Sequence, residues 1–116
     1  MDHYRLLEEI EFGEGTEHGH AVALHPSGSS RTLLFALHEG QTIKRHAAHF
    51  AMRIIVLRGL GEFAVEGQVA EQAGETSLLV VELGEKIQAK AIGGDLVFLA
   101  VLQRTHDEQE TTNEDV

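Results

Sequence analysis

The sequence predicts an all-β domain, a sandwich or a closed barrel, and three observations carry that prediction. The apolar residues fall into short runs separated by turn signals at close spacing. Where a run alternates, it alternates with period two. Only the first dozen residues offer a helical pattern.

The runs follow in order. HAVALH (20–25) gives way to the polar turn PSGSS, which holds Pro26, the only proline. RTLLFALH (31–38) stops at Glu39-Gly40. FAMRIIVLRG (50–59) leads into GEFAVEG (61–67), where Phe63 and Val65 share one face and Glu62, Ala64 and Glu66 the other. After Gly74 come SLLVVEL (77–83), then KIQAKAI (86–92), which closes at Gly93-Gly94-Asp95, and LVFLAVLQR (96–104). That spacing predicts about eight short strands. RIIVL and LVFLAVL are apolar on both faces, so each is expected to be covered on both sides or to lie in an interface. DHYRLLEEI (2–10) is the one helix candidate, with Tyr4, Leu6, Leu7 and Ile10 roughly on one side; an opening strand is the alternative.

A chain of 116 residues, 42% of them hydrophobic, predicts a single domain over residues 1–104 with a core of its own. No cysteine is present, which excludes disulfides, zinc–thiolate sites and a cysteine nucleophile. The charged start MDHYRLLEEIEFGEG does not read as a signal peptide, and no apolar run approaches the ~20 residues that span a bilayer. A cytoplasmic location is expected.

The net charge is −10. Residues 105–116, THDEQETTNEDV, hold five acids and no Lys or Arg, which leaves 9 − 14 = −5 for the rest. This acidic tail is expected to be disordered and to contribute nothing to folding. The acidic balance argues against nucleic acid and anionic membranes as partners, since phosphate binding needs clustered Lys and Arg. No P-loop, dinucleotide fingerprint or G-x-S-x-G is present, and the glycines fall at strand turns.

The stretch GQTIKRHAAHFAMRIIVLRG (40–59) carries a more specific signal. Gly40 is followed by five residues and His46, and Gly59 closes the stretch. This framework resembles the first motif of the small single-domain cupins of the RmlC-like type, in which a Gly, two histidines, a glutamate and a second Gly recur at fixed spacing. Ala48 stands at the second histidine position and Met52 at the glutamate position. GEFAVEGQ resembles the hairpin that follows in that family. The second motif would start at Gly74, with Val80 at its proline position and Glu85 at its histidine position. The resemblance covers residues 31 to 104. It implies a jelly-roll β-barrel (double-stranded β-helix) and a pocket inside the barrel lined by His46, Met52, Glu85 and Ala48.

In the family, three histidines and a glutamate hold a divalent transition metal. Here one of the four positions keeps its residue, and Ala48 and Met52 cannot replace the lost donors. The expectation is therefore no metal, no cofactor and a smaller, more apolar pocket in which His46 and Glu85 pair. An altered ligand set of His46, Glu85 and His49 is the alternative. It would need a β-bulge, because residues three apart on a strand face opposite ways.

Other polar residues carry weaker signals. His18-Gly19-His20 reads as a solvated edge, and His3, His25, His38 and His106 fall near turns or termini. Arg45, Arg53 and Arg58 flank the motif strand. They read either as surface ion pairs with Glu62, Glu66 or Glu82 or as a carboxylate-binding cluster.

Three functions follow: a cupin-like module that binds or senses an unidentified small molecule; a metal-dependent enzyme of dioxygenase or isomerase type built on the altered ligand set; and a homodimeric interaction protein. The doubly apolar strands predict a homodimer in any case.

Overall fold

The computed structural model describes residues 1–14, 17–25, 30–46 and 50–104, the side chain of His46 excepted. Two antiparallel sheets face each other. Among the described residues nine strands form them: β1 (His20–Leu24), β2 (Ser30–Leu37), β3 (Thr42–His46), β4 (Phe50–Arg58), β5 (Gly61–Val65), β6 (Glu71–Ala73), β7 (Leu78–Val81), β8 (Lys86–Ala91) and β9 (Leu96–Arg104). The larger sheet has the order β1-β2-β9-β4-β7 and the smaller the order β3-β8-β5-β6. Strands adjacent in sequence repeatedly fall in opposite sheets, which is the jelly-roll arrangement that the resemblance to cupins implied.

Period-two patterning sorts the side chains. In β8, KIQAKA alternates exposed and buried along its whole length, with Ile87, Ala89 and Ala91 inward and Lys86, Gln88 and Lys90 outward. The same rule turns Met52, Ile54 and Val56 of β4, Phe63 of β5 and Leu96, Phe98 and Ala100 of β9 into the space between the sheets. Phe98 sits at the centre of that core. Its ring stacks on Phe35, centroids 4.8 Å apart, and meets Phe63 edge-on at 5.5 Å. Burying a residue such as Phe98 contributes roughly 1.5–3 kcal/mol.

A second apolar layer lies outside the large sheet. Leu24, Leu34, Ala36 and Val97 are buried there beneath Leu6, Ile10 and Phe12 of the N-terminal segment. This explains why LVFLAVL is apolar on both faces: one face meets the core, and the other is partly covered by the chain's own first residues.

The segment is not the predicted helix. It forms one 3-10 turn at Leu6–Glu8 and no longer helix, with Leu6 and Ile10 packed and Tyr4 and Leu7 exposed. Packing on a flat sheet face, without a capping side chain at Arg5, gives a longer helix nothing to hold it. Two strands were also missed as separate elements. β3 is mostly polar, and β6 has three residues. Pro26 and the tail 105–116 lie outside the described residues. No helix among the described residues is long and apolar enough to cross a membrane.

Candidate functional site

Of the residues expected to line the barrel pocket, Met52 and Glu85 are described with their side chains. Met52 is buried in the core on β4, in register with Val81 of β7, and acts as an apolar filler. Glu85 lies in the turn between β7 and β8. Its carboxylate accepts hydrogen bonds from the backbone N–H of Glu82 (2.8 Å) and from Nε2 of Gln68 (3.1 Å). The turn, closed by Glu85 N–H donating to the Glu82 carbonyl, starts the strand one residue later, so the inward position at this end of β8 is Ile87. Glu85 is half-buried there, two residues before the inward Ile87. The backbone of His46 pairs in register with Lys86. Ala48 and His49 lie outside the described residues.

Of the altered metal set, the side chain of His46 and the whole of His49 lie outside the described residues. The described interior near Met52 and Ile87 is apolar, and among the described residues no three His, Asp or Glu side chains are placed to hold a metal ion.

A cavity of about 530 Å³ opens on the small sheet and is lined by Lys44, Arg45, Ala64, Glu66, Lys86, Ile87 and Gln88. Strand register builds it. Lys44 of β3 stands opposite Gln88 of β8, which stands opposite Ala64 of β5. All three belong to the outward set, since Ile43, Phe63, Ile87 and Ala89 turn inward. Ala64 ends in a methyl group between the long side chains Glu62 and Glu66, so the outer face dips at the β5 end of the row.

The charge on this face runs against the rest of the chain. The three lysines of the sequence, Lys44, Lys86 and Lys90, all lie on it. Lys90 stands opposite Glu62 in register. Lys86 Nζ lies 3.7 Å from Glu66, an exposed pair of little strength. Lys44 faces the neutral Gln88 and has no ion pair among the described residues. The lining therefore carries three basic groups and one acidic group. Arg45 belongs to the inward set of β3, and its guanidinium lies over the ring of Phe35, 5.5 Å from the centroid. It contributes to the field at the cavity and is held there by an aromatic face.

Arg53 and Arg58 make no ion pair among the described residues, so neither joins a cluster with Arg45 nor forms the expected surface pairs. His20 Nε2 lies 3.4 Å from Glu11, and His18 and His20 are both exposed, as a solvated edge would be. His38 is more engaged than its turn position suggested. Its Nδ1 lies 3.0 Å from Asp95 and its Nε2 3.2 Å from Glu14, and its ring stacks on Phe12. Hydrogen bonds to Asp95 and then Glu14 raise its pKa above the ordinary 6.5. Below it, the buried Gln41 accepts from the His38 backbone N–H and donates to the Gly13 carbonyl, both at 2.8 Å.

Sheet order, register and a core between two antiparallel sheets define the fold as the double-stranded β-helix of the cupin type. Solved structures share it. A conserved protein with a double-stranded β-helix domain from Klebsiella pneumoniae superposes with a TM-score of 0.82 at 15% identity, over 91% of this chain and 92% of that one. An RmlC-like cupin protein from Desulfovibrio desulfuricans gives 0.74 at 23% identity, over 88% and 96%. An RmlC-like cupin family protein from Methanocaldococcus jannaschii gives 0.68 at 18% identity, over 85% and 91%. No protein-family model and no curated protein sequence matches the chain.

Proposed function

We propose that the protein is a binding or sensing module for a small anionic molecule, and that its recognition surface is the cavity on the small sheet. The observation that carries this is Lys44. It is a lysine without an acidic partner, set beside the Gln88 amide over the dip at Ala64, in a chain of net charge −10. A carboxylate or phosphate group would accept from the Lys44 ammonium and the Gln88 amide, while the weak Lys86–Glu66 pair could open to supply a second cation. The apolar stems of Lys44 and Lys86, with Ala64, would bound the rest of the ligand.

The test is calorimetric titration and thermal stabilisation with citrate, inorganic phosphate and short monocarboxylates, beside neutral amides of the same shape. A ligand present at about 100 times its Kd stabilises by about 2.7 kcal/mol. Anions should raise the melting temperature and neutral analogues should not. Lys44→Ala should abolish the shift. Stabilisation that survives in Lys44→Ala, or none with any anion, would overturn the proposal.

The metal-dependent alternative predicts a different result: one transition metal per chain, bound tightly and lost in His46→Ala.

A further inference from the structure

The two ends of the barrel differ in charge. β2, β4 and β8 start at one end, and β3, β5 and β9 finish there. Arg31, Lys44, Arg45, Lys86 and Arg104 stand on those strand ends, five of the nine Lys and Arg of the sequence. Among the described residues the acids at this end are Glu66, Glu71, Glu82 and Glu85, and of these Glu66 alone lines the cavity. Glu85 is engaged with Gln68 and the Glu82 N–H. Glu14, Glu17, Glu39, Glu75 and Asp95 lie at the opposite end, around His38 and Gly59.

Residues 105–116 leave the fold at the basic end. Arg104 closes β9 in register with Phe50, and its guanidinium lies over the Phe50 ring, 5.2 Å from the centroid. Phe50 is four positions after His46, and His46 pairs with Lys86 at the cavity. Two cross-strand steps of about 5 Å and four residues of at most ~3.6 Å each keep the backbone of Lys86 within about 25 Å of Arg104. Twelve residues reach up to about 40 Å, so the segment is long enough to cross the cavity. Its sequence is the complement of the lining: Asp107, Glu108, Glu110, Glu114 and Asp115, with no Lys or Arg, against three cations and one acid. Tethering holds those carboxylates near the lining at an effective concentration on the order of millimolar. The rest of the body is acidic and repels them.

We infer that residues 105–116 occupy the cavity on the small sheet as the chain's own anion and compete there with external ones. This rests on reading the cavity as an anion site and adds its regulation: a ligand binds by displacing carboxylates from Lys44 and Lys86. The test is a full-length variant with five amides, Asp107→Asn, Glu108→Gln, Glu110→Gln, Glu114→Gln and Asp115→Asn. Without ligand at low salt, the backbone amide resonances of Lys44, Ala64 and Gln88 should differ between variant and wild type. Those of Glu39 and Gly59 should not, and about 0.5 M NaCl should remove the difference. In calorimetric titration the variant should bind citrate at least five times as tightly as the wild type. Identical cavity resonances would overturn the inference. Equal citrate affinities would overturn it too, while leaving the anion site standing. Shifted resonances with no citrate binding by either chain would support the docked segment and sink the reading of the cavity as a ligand site. A difference that grows with protein concentration would assign the segment to a second copy and overturn the tethered form.

Discussion

Nδ1 of His38 lies 3.0 Å from Oδ1 of Asp95, which joins the end of β2 to the turn before β9. The other ring nitrogen reaches Glu14 of the N-terminal segment. Only the imidazolium can donate to both carboxylates at once. Glu39 beside it, Glu17 on the stretch bonded to β3 and Arg58 at the end of β4 are the other charges on the neighbouring elements, and the ring bonds to none of them. Because the folded pKa is raised, the stabilisation is fully present below pH 6.5 and is lost as pH rises through the higher folded value. Proton resonances of the His38 ring should titrate above those of an exposed histidine. Over the same window, hydrogen exchange at Leu34, Ala36 and Val97 should quicken in the wild type and be flat in His38→Gln.

Gln41→Ala should loosen the same segment at every pH. It removes two bonds from a buried amide and leaves the Gly13 carbonyl and the His38 N–H without them, at a cost of about 1–3 kcal/mol. Denaturant melts measure the loss, and exchange protection falling first at residues 10–14 would locate it.

Phe98→Ala should cost about 3–5 kcal/mol, because its ring touches both Phe35 and Phe63 and neither sheet can close the gap. Against a total stability of about 5–15 kcal/mol, that is enough to leave the domain partly unfolded at room temperature. Urea unfolding followed by circular dichroism reads it directly.

Gly59 and Gly67 make a matched pair. Both have φ near +90°, at 88° and 87°. A Cβ on Gly59 would collide with the backbone carbonyl of Asp95, whereas one on Gly67 meets nothing within 4 Å. Gly67→Ala should therefore show only the backbone cost, about 1–2 kcal/mol. Gly59→Ala should show that cost and a displaced β9 as well. Equal unfolding midpoints for the two variants would show that the Asp95 contact is unimportant.

The strands with regular alternation were legible in the sequence, and so was their arrangement, because Gly40, Gly59 and Gly74 mark turns at cupin-like intervals. β3 was hidden for a physical reason. Its inward residues are Ile43 and Arg45, and an arginine can face inward there only because Phe35 offers its ring from the opposite sheet. Motif counting does not register that Glu85 falls in the turn before β8, where its carboxylate accepts from the Glu82 N–H and the Gln68 amide. The cavity was not legible at all. Lys44, Gln88 and Ala64 are far apart in the chain, and only cross-strand register makes them a row. Of the three arginines singled out around the motif, only Arg45 takes part in it.

The position of β9 has a consequence for how the chain is made. The last strand of the fold is the middle strand of the large sheet, and Arg31 pairs with Leu102 across most of the sequence. A ribosome that has released everything up to Gly94 has produced both flanks of that sheet without the strand that joins them. β2 and β4 must then wait, apolar face to water, until residue 104 emerges. A truncation that removes residues 96–104 would take away the keystone of that sheet.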